Sequence, residues 1–325
     1  MEGKALYNLL RINSLEDPNL EVEPWAIEEY REIPTEELFL RLKKLAIPLN
    51  EQTFLHYAEN CDSPEQMAEM LWTQEEYSKD FDQSYLLIFE LWRRLLPGKQ
   101  TLSLFCNDLD HLIFLYDRDK LEDQQPLQEA LQQLETILDE NVDQGANPAQ
   151  LFQTVLDHSA HDIESFLHDY ISDQIEQENG LYASELIDGF YAYVQNKRWL
   201  DFERMRLLTM TDHDEGMLML SRILDDLGEN PDFELLMQIA HFLAHQDAFE
   251  FLLRTLLLAK PLIQTEADFQ EMLLAATEFY RLSDQAERED ALQSLISKRA
   301  SIPLDEAFSP SDPDLNYLFK EFLQD

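Results

Sequence analysis

From Thr35 onward the chain repeats one pattern, in which apolar residues recur three and four positions apart with charged and amide residues between them. Leu127, Leu131, Leu134 and Leu138 illustrate it, since that spacing lines one stripe of a helix. The pattern predicts helices near 35–46, 50–60, 64–78, 82–96, 100–117, 124–142, 148–176, 182–196, 199–210, 214–227, 231–245, 247–259, 266–281, 284–299 and 313–324. Four of the expected starts carry a capping residue directly before proline: Ser63-Pro64, Asn147-Pro148, Asn230-Pro231 and Asp312-Pro313. The cap's oxygen accepts from free N–H groups, and proline at the first helical position loses no bond it needed. Thr265 and Asp268 have the spacing of a capping box.

Composition supports the same picture. The chain has 57 Leu against 4 Val, and only 7 Gly, which favours helices and disfavours sheets and their turns. At 325 residues it exceeds the roughly 250–300 at which one core stops growing. The expected fold is therefore all-α, with stacked antiparallel helices, either α-solenoid-like or divided into two helical bundles. Residues 1–33 read as a partly extended acidic N-terminal arm, because Pro18, Pro24 and Pro34 punctuate the region, with one short helix around Trp25–Tyr30. Residues 34–143 then form an N-terminal helical half and residues 147–325 a C-terminal one, joined by the Gly145-containing linker, although a continuous helical array fits the pattern too.

Cys61 and Cys106 lie within apolar helical stretches and read as buried thiols. The N-terminal residues lack a basic-then-apolar signal pattern, and no apolar run approaches the 18 or so residues that cross a bilayer. A cytoplasmic protein without membrane insertion is the expectation.

Charge then narrows the partner class. Formal net charge is −42, and residues 121–196 hold sixteen Asp and Glu with no Lys or Arg. Such a surface repels nucleic acid and attracts cations and basic proteins. Within it, Asp157, His161, Glu164 and His168 follow the spacing i, i+4, i+7, i+11, which on one continuous helix shares a single stripe. Imidazole and carboxylate side chains together suit a divalent transition metal.

Other catalytic signatures are absent from the sequence. None of the eight His has Glu three residues before it, as a helical di-iron site needs, and His241-Phe242 lacks the Glu of a zinc-protease helix. There is no phosphate-binding glycine loop and no Cys-x-x-Cys. The leading expectation is a non-enzymatic adaptor, regulator or chaperone-like scaffold that needs no cofactor and binds a basic protein. Its acidic face would comprise Asp157, Asp162, Glu164, Asp169, Asp173, Glu176 and Glu178, with Tyr182, Tyr191 and Tyr193 as exposed anchors. The alternatives are a metal-dependent hydrolase using Asp157, His161, Glu164 and His168, and a mimic of nucleic acid.

Overall fold

The computed structural model describes residues 3–73, 78–246 and 248–322; the parts of the expected helices at 74–77, 247 and 323–324 lie outside them. The chain is all-helical, with 73% of it in helix. Among the described residues, extended pairing is limited to the single bridge between Thr265 and Ala307. Among the described residues, no helix is long and apolar enough to cross a membrane.

Capping chemistry sets most of the expected starts. Pro64 opens α4 (Pro64–Leu71), and Ser63 accepts from the Gln66 N–H at 3.2 Å. Pro148 opens α8 (Pro148–Asp157), with Asn147 accepting from Gln150 N–H at 3.1 Å. Asp312 caps α17 (Pro313–Tyr317), and Thr265 and Asp268 complete the reciprocal box at the start of α15 (Glu266–Leu282). The third proline behaves differently. Asn230 closes α12 (His213–Glu229), Pro231 lies between helices, and Asp232 caps α13 (Phe233–Ala244) by accepting from Leu235 N–H at 3.2 Å.

The chain divides into two compact units, Met1–Tyr170 with Asp188–Gln195, and Ile171–Ile187 with Asn196–Asp325. The division falls inside α9 (Ile163–Glu176) and α10 (Gly180–Phe190).

The first unit begins with a helix inside the segment expected to be a partly extended arm. Residues Lys4–Glu16 form α1, because nothing in KALYNLLRINSLE breaks a helix before Pro18, and its Ala5 and Tyr7 are buried. Residues 17–34 are non-helical apart from single 3-10 turns at Pro24–Ala26 and Tyr30–Glu32. That segment is fastened to the body. α2 spans Thr35–Lys44, α3 Glu51–Ala58, α5 Lys79–Leu95, α6 Leu102–Tyr116 and α7 Gln125–Asp143. From α5, Arg94 donates to the carbonyls of Tyr30 (3.1 Å) and Arg31 (3.0 Å), while Arg41 of α2 clamps both oxygens of Glu28. Tyr30, Ile33 and Ala26 join a core centred on Phe54, Phe89 and Trp92. Arg41, Arg94 and Lys99 thus hold the arm and loops, with Lys99 donating to the Ala58 carbonyl at 2.8 Å.

The second unit repeats a helical hairpin. α11 (Lys197–Thr211) meets α12 across Asp212, α13 pairs with α14 (Phe249–Ala259), and α15 pairs with α16 (Ala286–Arg299). α13 also packs on α15, and α12 on α14, so hairpins stack in two layers as in a solenoid. Leu220, Leu236, Met237, Leu256, Phe269 and Met272 fill the space between layers. Arg299, almost wholly buried, grips both oxygens of Glu266 (2.8 and 2.5 Å) and reaches Asp312 and Asp314, tying α15 and α16 to the chain's end. Both thiols are buried as expected, and burial pushes the Cys106 thiol up to about 12, so it is inert at neutral pH.

Candidate functional site

The stripe from Asp157 to His168 does not exist as one surface. The helix expected over 148–176 breaks after Asp157, and α9 starts anew at Ile163. The cause lies some fifty residues earlier in the chain. Asp110 on α6, 2% exposed, accepts from Ala160 N–H through both oxygens (3.0 and 2.9 Å) and from His161 N–H (3.1 Å). Its Oδ1 also lies 3.0 Å from His161 Nδ1, and Asn8 of α1 donates to Oδ2 at 3.0 Å. A carboxylate that takes backbone N–H groups draws them away from helical partners. Asp162 then caps the new helix, accepting from Glu164 and Ser165 N–H at 3.1 and 3.2 Å.

This rearrangement disposes of the metal set. Asp157 ends α8 exposed, and Gln153 donates to it at 3.0 Å. His161 is bound to Asp110, Glu164 accepts from Gln195 N–H at 3.1 Å, and His168 is buried. Desolvation pushes the His168 imidazole below its ordinary pKa, favouring the neutral ring. Among the described residues, no group of three or more His, Cys, Asp or Glu side chains is arranged to hold a metal ion.

The acidic residues fare differently. Asp157, Asp162 and Asp169 are exposed in the first unit, with Glu164 half-buried. In the second, Glu176 and Glu178 are exposed and Asp173 is half-buried. None of the sixteen carboxylates between 121 and 196 is buried, and only Glu135, Glu164 and Asp173 are less than exposed. On α7, Leu127, Leu131, Leu134 and Leu138 are fully buried, while Glu129, Glu140 and Asp143 lie on the opposite side at 100° per residue. The Lys197–Arg206 cluster answers part of the charge, since Arg206 pairs with Glu176 and with Glu203.

The aromatic anchors require correction. Tyr193 is 3% exposed, and its hydroxyl donates to Asp139. Burial beside that carboxylate raises its pKa, so it is a neutral donor inside the first unit. Its apolar neighbours in YAYV gave no sign of which ring would turn inward. Tyr182 and Tyr191 are half-buried.

A polar cavity in the first unit had no sequence signal. Lys4, Asn8 and Arg11 of α1, Glu29 and Arg31 of the arm, Glu90 of α5, and Asn107, Asp110 and His111 of α6 line about 30 Å³. Arg11 pairs with Glu29, Arg31 with Asp108 at 2.5 Å, and Glu90 with Arg93 and Arg94 at 2.6 Å. The cations come from three segments far apart in sequence, and no local pattern links them.

No protein-family model matches this chain, and neither a curated protein nor a solved structure does.

Proposed function

We propose that this chain is a non-enzymatic helical interaction protein that binds a basic protein through exposed carboxylates. The observation that carries the reading is the exposure of the 121–196 segment's charges. Sixteen carboxylates occur without one lysine or arginine between them, and folding buries none. Within the first unit, Glu129, Glu140 and Asp143 on the outward side of α7, together with exposed Asp157 and Asp169, sustain a negative potential that steers and holds cationic surfaces.

The breakage of the Asp157–His168 stripe removes the observation that favoured a hydrolase. The test is amide replacement of Glu129, Glu140, Asp143, Asp157 and Asp169 together, which keeps shape and removes five charges. Partners captured by the parent protein in low salt should be basic, and the variant should lose them. Retention of those partners by the variant would overturn the proposal, and competition by duplex DNA for the same partner would redefine it as mimicry.

A further inference from the structure

The cavity between α1, the arm, α5 and α6 gathers cations in a chain that is short of them, Lys4, Arg11 and Arg31 lining it with Glu29, Glu90 and Asp110. Five cations, Lys4, Arg11, Arg31, Arg93 and Arg94, stand around it or directly behind it, against four carboxylates, Glu29, Glu90, Asp108 and Asp110. The carboxylates are all engaged. Glu29 is held by Arg11, Glu90 by two arginines, Asp108 by Arg31, and Asp110 by backbone N–H groups and His161. Lys4 is the exception among the cations. Among the described residues its ammonium forms no ion pair or hydrogen bond, and its nearest recorded partner is the face of the Tyr30 ring, 5.7 Å from Nζ. In a protein with 66 carboxylates and 24 Lys and Arg, a half-buried lysine without one is unusual.

The geometry points to a binding site for a small oxyanion, a carboxylate or phosphate group, received by Lys4 Nζ with Arg11, Arg31 and His111 as the surrounding wall. An ammonium has three N–H donors, and Lys4 has all three free for an oxygen ligand. At about 30 Å³ the cavity admits one or two oxygen atoms rather than a whole large anion, so the ligand's charged head enters and its body stays outside. Asn8 stands one helical turn from Lys4 and also lines the cavity. The groups that act on Lys4 explain why an anion is wanted there. Arg11 and Arg31 repel its charge, Glu29 and Glu90 attract it, and burial outweighs them all, bringing the amine down to about 8. An entering anion supplies the direct ion pair that this lysine lacks.

The experiment measures acylation rates of each lysine by mass spectrometry at pH 7.5, with 20 mM phosphate, 20 mM acetate, or chloride at matched ionic strength. Lys4 should react faster than exposed Lys43 and Lys44 in chloride, because burial brings its amine down to about 8 and so raises its share of free base at pH 7.5. Phosphate or acetate should slow Lys4 at least fivefold and leave Lys43 and Lys44 unchanged. The first anion to act identifies the preferred head group. Equal Lys4 rates in all three salts would overturn the site, as would equal slowing of every lysine. As a second measurement, phosphate should raise the thermal midpoint of the parent protein and have no such effect on a cooperatively folded Lys4→Met variant. An equal rise in both would also overturn it.

Discussion

Replacing Asp110 with alanine tests the mechanism that breaks the expected 148–176 helix. The side chain is 2% exposed and accepts from four donors: Ala160 N–H, His161 N–H, Asn8 Nδ2 and, with the proton on it, His161 Nδ1. Hydrogen bonds to a charged acceptor contribute about 1.5–3 kcal/mol each, and they do not add when they share one carboxylate. Water from the adjoining cavity can reach some of the orphaned donors, which lowers the sum. The cost of Asp110→Ala should therefore be about 3–5 kcal/mol, the range for removing one partner of a buried charged network. For a unit of this size that lowers the thermal midpoint by about 6–20 °C. Asp110→Asn keeps one acceptor oxygen and should cost about 1–3 kcal/mol. Urea unfolding gives the energies, and hydrogen exchange of a peptide covering 157–162 locates them. A loss below about 1 kcal/mol for Asp110→Ala, or unchanged protection of Ala160 and His161, would refute the assignment.

Two further outcomes follow from the packing and the titrations. A Cβ on Gly216 of α12 would collide with the Thr209 methyl and come within 2.9 Å of the Thr209 backbone, so Gly216→Ala should destabilise the second unit by about 1–3 kcal/mol in urea unfolding, whereas Gly98→Ala, with open space around it, should not. Burial lowers the pKa of His111, His168 and His241 in the folded chain, so between those lowered values and 6.5 the unfolded chain binds more protons. Stability should accordingly be full near pH 7 and fall as the pH drops below 6.5; a urea midpoint unchanged between pH 7 and 5.5 would contradict this.

The helices, their caps and their buried stripes were legible because each depends on residues within one or two turns. Ser63, Asn147 and Thr265 cap where the local pattern places them. Asn230 misled because Asp232, two residues on, offers the same oxygen and won the role. The break at His158–Asp162 was not legible, since its cause is Asp110 on another helix and the local residues alone favour continuation. Tyr193 failed for a related reason: a tyrosine's hydroxyl goes inward when a distant carboxylate, here Asp139, waits for it. The exposure of the acidic segment followed directly from composition, because uncompensated carboxylates remain in water whatever the tertiary arrangement.

The most direct measurement is the salt dependence of binding to a basic partner captured by the parent protein, determined by titration calorimetry between 50 and 200 mM salt. If exposed carboxylates carry recognition, affinity should fall steeply across that range and the five-amide variant should show both weaker binding and a shallower slope. An affinity that is independent of salt and identical in parent and variant would contradict the account.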